Sequence, residues 1–177
     1  MKKSFAVILI LTLAVPLAAE TVATADAEPQ GVISQALSWI GVKYRFGSAD
    51  ERRGFDCAGL VRRVFSSVGI QLPRTAADQY SIGEEVERSE LSPGDLVFFR
   101  NTYKRGISHV GIYVGENQFV HAANSRRSVV VDELDTPYYL SRFAGGRRLL
   151  AEPDPVAVTS AGDDVSMFAP PPIGPEP

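Results

Sequence analysis

The chain has 177 residues, 45% hydrophobic and 22% charged, with 18 Lys and Arg against 21 Asp and Glu for a net charge of −3. This is a globular balance; it excludes a fibrous or wholly disordered chain and predicts one compact domain rather than a large multidomain machine. A nucleic-acid partner is also excluded, because a duplex reader needs a concentrated basic footprint that a net acidic chain lacks.

Lys2 and Lys3 precede an apolar run from Phe5 to Ala19, and small residues follow at Ala23-Thr24-Ala25 and Ala25-Asp26-Ala27. The layout predicts a secretory signal over residues 1–27, cleaved near Ala25 or Ala27. A retained anchor is the competing reading, but at helical rise the run covers only ~22 Å, short of the ~30 Å hydrocarbon core. An exported protein with no stable membrane span after cleavage is expected, resident in the periplasm or released outside.

The mature domain is expected over residues 28–151. Val32, Ile33, Ala36, Leu37 and Ile40 share one helical face up to Gly41, which predicts a first helix. After a loop with Gly47, Ser48 and Gly54, the same spacing recurs at Leu60, Val61, Val64, Phe65 and Val68. A second helix therefore starts near Asp56 or Cys57 and stops at Gly69. A short polar helix is expected around Ala76 to Ser81. Beyond Ser92-Pro93-Gly94-Asp95, strand-like runs at Leu96 to Arg100, Ser108 to Val114, Gln118 to Ala122 and Ser128 to Asp132 read as an antiparallel meander. Tyr138 to Phe143 adds a short helix and Arg147 to Leu150 an edge strand. Helices first and a small sheet second give an α+β fold. From Glu152 onward there are acidic residues and a Pro170-Pro171-Pro172 run but no Lys or Arg, so residues 152–177 are expected to form a disordered, Pro-rich acidic tail. Whether that tail binds a regulator is left open.

The chemistry rests on a few residues. The chain holds one cysteine, Cys57, and two histidines, His109 and His121. A lone Cys cannot close a disulfide within the chain, which leaves an inert buried thiol, an intermolecular bridge or a reactive nucleophile. Its place at a helix N-terminus favours thiolate and predicts a lowered pKa. The two histidines flank one predicted turn at Gly115-Glu116-Asn117. Position 109 then lies opposite about 123, so His121 is its diagonal neighbour on the same face. Nucleophile, base and base-orienting group would be Cys57, His109 and His121 in that order. Zinc held by the same three residues is the competing reading; the lack of closely spaced ligand pairs disfavours it, and neither metal nor cofactor is expected.

The segment from Ile33 to Leu150 resembles the NlpC/P60 cell-wall cysteine peptidases. Phe55-Asp56-Cys57-Ala58-Gly59-Leu60-Val61 is similar to the family's nucleophile motif, and Leu72-Pro73-Arg74-Thr75 with Gln79 to the segment after it. Leu91 to Phe99 resembles the first core strand, and Ser108-His109-Val110-Gly111 and Phe119-Val120-His121-Ala122 the two histidine strands. Gly41 to Gly47 resembles the loop whose tyrosine, here Tyr44, lines the active site. The resemblance implies a papain-like hydrolase cutting amide bonds of peptidoglycan stem peptides with a Cys-His-His triad, Tyr44 helping to hold the oxyanion. It also implies a substrate-amine contact at Asp56, which is equally read as a helix cap, and a weaker substrate contact at Ser108. Arg74 is read as a surface residue or as one holding charges of the loop or substrate. Ala58 stands where the family often has a serine, Ser48 replaces a second glycine and Lys43 a proline, so substrate recognition is not carried over. A catalytically silent wall- or protein-binding module and an acyl transferase remain alternatives. The bond cut, γ-D-glutamyl to diamino acid or a D-alanyl cross-link, is open.

Overall fold

The computed structural model describes residues 29–124 and 128–150; the expected signal at 1–27 and tail at 152–177 lie outside them. Helix α1 runs Pro29–Ser38 and buries Val32, Ile33 and Ala36. It begins earlier than the apolar spacing predicts because proline is well suited to a helix's first turn. Helix α2 runs Cys57–Ser67, with Asp56 as its N-cap. Leu60, Val61, Val64 and Phe65 are fully buried on one stripe, each contributing roughly 2 kcal/mol of apolar transfer before entropy is set against it. The helix ends where Gly69 takes a positive φ of 84°. A one-turn helix α3, Ala76–Gln79, is capped by Thr75.

Between α1 and α2 the chain forms a small hairpin of β1, Ala49–Asp50, and β2, Gly54–Phe55. The main sheet contains β3, Glu84–Val86; β4, Leu96–Arg100; β5, Ile107–Gly115; β6, Gln118–Ala122; β7, Val129–Glu133; and β8, Phe143–Arg148. A one-turn helix α4, Pro137–Leu140, lies between β7 and β8. The sheet order is β3-β8-β4-β5-β6-β7, with all pairings antiparallel. The predicted meander is therefore β4 to β7. The β5–β6 turn forms at Glu116 and Asn117, both at positive φ, the primed geometry that suits a tight hairpin.

One expectation is corrected. The last strand is not an edge strand: β8 lies between β3 and β4, and β3, unforeseen in the sequence, covers it. The pairing is reinforced by side chains, since Arg147 meets Glu85 at 3.3 Å and Arg148 makes a two-point contact with Asp95.

Alternation along the strands makes two apolar layers. Leu96, Phe98, Val110, Ile112, Val120 and Ala122 pack with α1 and α2, while Val97, Phe99, Phe119 and Leu134 form a second cluster with Tyr113, Tyr139 and Phe143. Among the described residues no helix is long and apolar enough to cross a membrane.

Candidate active site

Cys57 opens α2 and is 5% exposed. Its sulfur faces the backbone N–H of Val110, the residue after His109, so the helix start abuts β5 where the histidine sits. The thiol pKa is not lowered as the helix terminus suggests. Burial first, and the neighbouring Asp56 carboxylate second, push it up to about 11, outweighing the N–H groups of Val110, Ala58 and Cys57 that pull it down. At neutral pH Cys57 is therefore a protonated thiol.

The hairpin register pairs Ile112 with Val120 and Tyr113 with Phe119; extended, it sets His109 and His121 diagonally on one face, as the turn predicts. His109 Nε2 lies 2.7 Å from His121 Nδ1, the two rings nearly perpendicular at 88°. His121 is fully buried against Phe119 and Tyr139, and its Nε2 lies 3.0 Å from Asp132 Oδ2. Burial holds the His109 pKa well below the usual imidazole range, a second proton on neighbouring His121 would push it further the same way, and Asp132 opposes both. His109 is thus a neutral imidazole. It does not hydrogen-bond Cys57 in this arrangement; such contacts commonly tighten only around substrate. Because the facing ring nitrogens bond each other, they do not converge as zinc ligands would, and no group of three His, Cys, Asp or Glu among the described residues could hold a metal ion.

Tyr44, on a single β-bridge to Phe55, is half-buried beside the thiol. Burial, then the charges of Cys57 and Asp56, raise its pKa to about 12, so its hydroxyl stays a donor. Two clefts meet here. One of about 670 Å³ is lined by His109, Asp132, Asn124 and Tyr139. The other, about 360 Å³, is lined by Cys57, Asp56, Arg74 and Lys104. Tyr44, Phe46 and Tyr103 border both, with the exposed Phe46 and Tyr103 rings edge to face at 5.9 Å.

The NlpC/P60 family model matches residues 41–148. The chain belongs to the NlpC/P60 family. It is similar to the gamma-DL-glutamyl hydrolase of Bacillus subtilis, 46% identical over 127 residues, covering 71% of this chain and 30% of that protein. It is also similar to the murein DD-endopeptidase MepS/murein LD-carboxypeptidase of Escherichia coli, 42% identical, covering 68% and 62% of the two chains. An NlpC/P60 protein of Bacillus cereus superposes with a TM-score of 0.66 at 32% identity, over 70% of this chain and 41% of that one. The chain thus spans less than two thirds of each of these proteins.

Within this NlpC/P60 domain, the residues read as substrate contacts are occupied by the fold. Asp56 accepts from Gly59 N at 2.7 Å, Gly47 N at 2.9 Å and both terminal nitrogens of Arg74 at 3.0 and 2.6 Å. Four donors fill the carboxylate's four lone-pair positions, so the cap reading of Asp56 holds and Arg74 is its partner. A substrate amine would have to displace one of them. The Ser108 hydroxyl, 1% exposed, bonds the Thr102 N–H and hydroxyl, both at 2.9 Å, and so ties the β4–β5 loop. Gln79 is fully buried and donates to Ala58 O and Pro73 O, clasping the first turn of α2. Sequence reasoning missed Asp132, Tyr139, Phe46 and Tyr103; the one available signal was an acidic residue directly after the Val129-Val130-Val131 run, at the end of the expected strand.

Proposed function

We propose that the chain is an exported thiol endopeptidase of peptidoglycan, cutting an amide bond of the stem peptides or their cross-links. The observation that carries the reading is the start of α2, where the lone thiol abuts the strand that bears a neutral, hydrogen-bonded imidazole. The similar proteins named as a gamma-DL-glutamyl hydrolase and a murein endopeptidase support the substrate class.

The resting charges set the order of events. With the thiol held up and the imidazole held down, the proton passes from Cys57 Sγ to His109 as the sulfur attacks the scissile carbonyl. The oxyanion is received by the Cys57 backbone N–H and the Tyr44 hydroxyl; loss of one such donor typically costs about 10²–10³ in rate. Collapse breaks the C–N bond, the imidazolium gives its proton to the leaving amine, and an acyl-thioester remains. Water, deprotonated by His109, then releases the carboxylate and restores the thiol.

Mass spectrometry of sacculi and soluble muropeptides incubated with the protein tests this, beside Cys57→Ala and with a chelator present. A shortened stem or lost cross-link, made by the wild type alone and resistant to chelator, is expected and names the bond. Cleavage by Cys57→Ala, chelator-sensitive cleavage, or no product from a folded wild type overturns the reading, the last in favour of a binding module.

A further inference from the structure

In the β6–β7 register His121 faces Val130 and Phe119 faces Asp132, so Asp132 is the diagonal neighbour of His121. Its Oδ2 is 3.0 Å from His121 Nε2 and accepts the Tyr139 hydroxyl, also at 3.0 Å. A neutral imidazole carries one N–H and one lone pair, and a carboxylate can only accept. The N–H of His121 must therefore sit on Nε2, which leaves Nδ1 to accept. Its partner at 2.7 Å, His109 Nε2, must then donate. The lone pair of His109 is thereby forced onto Nδ1, the nitrogen that a proton from Cys57 has to reach.

We infer that Asp132 is a positioning residue that fixes the proton positions of both histidines, through His121, so that His109 presents a bare Nδ1 to the thiol. The inference rests on the reading of His109 as the base. Asp132 has a second effect through Tyr139. The phenol lies 3.4 Å from His121 Nε2 and spends its hydrogen on Asp132. With the carboxylate gone, that hydrogen is free to turn to Nε2. His121 would then carry its proton on Nδ1 and donate to His109 Nε2, and His109 would point an N–H at the thiol, unable to accept. An amide at position 132 makes the same reversal when it turns its oxygen to the Tyr139 hydroxyl and its NH₂ to Nε2, donating where the carboxylate accepts. The charge of Asp132 also favours the imidazolium formed on His109 during attack, since it raises the basicity of His109 against the burial that lowers it.

The test is direct because the chain has two histidines and hence four ring nitrogens to assign. Long-range ¹H–¹⁵N correlation on the uniformly labelled full chain, near neutral pH and without substrate, is expected to show both histidines as Nε2–H with bare Nδ1. In Asp132→Asn both are expected to shift to Nδ1–H, with kcat on muropeptides down about a hundredfold and KM within about twofold, the signature of a wrong tautomer. Asp132→Glu, which restores the acceptor, is expected to recover the Nε2–H pattern and most of kcat. A wild-type spectrum with the His109 proton on Nδ1 overturns the inference whether or not the variants fold, as does an unchanged pattern in folded Asp132→Asn. The expected tautomers in a wild type that cleaves nothing uphold the relay and overturn only the peptidase reading.

Discussion

Asp56 on the helix side of the thiol and Asp132 on the sheet side of the imidazole pair are both carboxylates at the candidate site, yet their partners differ in kind. Asp56 is held by two backbone N–H groups and an arginine fork, donors whose protons do not move. It binds the 41–48 loop, the start of α2 and the segment bearing Arg74 into one piece, and its charge works against the thiolate. Asp132 bonds a ring whose proton has two possible homes, so its influence travels through His121 to His109. A carboxylate beside a nucleophile is a structural anchor or a director of protons according to whether its partners can change state.

The largest expected effects come from the glycines that allow each side to close. A methyl at Gly59 would stand 2.1 Å from Ser48 O and 3.0 Å from Ala49 Cα, both backbone atoms unable to give way. Gly59→Ala is expected to cost about 3 kcal/mol, at the upper end for overpacking. On the sheet side, a methyl at Gly111 would meet Phe119 Cδ2 at 2.5 Å and Val120 O at 2.9 Å. A ring can shift, so Gly111→Ala should cost less, about 2 kcal/mol. Urea unfolding ranks the two; a Gly59→Ala protein within 1 kcal/mol of wild type would mean that the 41–48 loop does not rest on α2 as described.

The next effect separates the sides by pH. The Cys57 pKa rises from 9.0 in a free thiol to about 11 in the fold, so above pH 9 the unfolded chain releases a proton that the folded one keeps. Stability from this group is complete below about pH 9 and is lost as pH climbs to about 11, amounting to about 2–3 kcal/mol. Cys57→Ser should lack that loss, so the wild-type minus variant difference in unfolding free energy isolates it. The His109 shift has the opposite sign. Its folded pKa lies below the free value of 6.5, so stability is lost as pH falls below that value. A difference curve flat from pH 9 to 11 would contradict a desolvated thiol.

Much of this arrangement was legible in the chain because its signals are local. The stripe ending at Gly69 marks α2, and the Gly115-Glu116-Asn117 turn alone fixes which face His109 and His121 share. The β6 strand spans the expected residues, Gln118–Ala122. What was not legible depends on partners distant in sequence. Phe143-Ala144-Gly145-Gly146-Arg147-Arg148 has a weak strand signal, and it becomes an interior strand through Glu85 and Asp95, more than fifty residues upstream. Asp132 meets His121 only through the β6–β7 register, for which the intervening residues give no turn signature. The expectation of a lowered thiol pKa failed for a related reason: helix geometry is local, whereas burial by β5 is not.

The smallest effect is the most discriminating, because the same chemical change is made on both sides. Asp56→Asn keeps an oxygen to cap Gly59 but loses the charge that pairs with Arg74, so a stability cost of about 1 kcal/mol is expected. It also removes an anion that disfavours the thiolate and leaves a guanidinium close by. The midpoint of iodoacetamide alkylation against pH should therefore fall below the wild-type value, while the histidine tautomers stay on Nε2. Asp132→Asn should do the reverse, turning the tautomers over without lowering the thiol midpoint. An unmoved or raised midpoint in Asp56→Asn would show that burial alone holds the thiol up. The two carboxylates would then differ only in their hydrogen bonds, and Asp56 would have no electrostatic hold on the thiol.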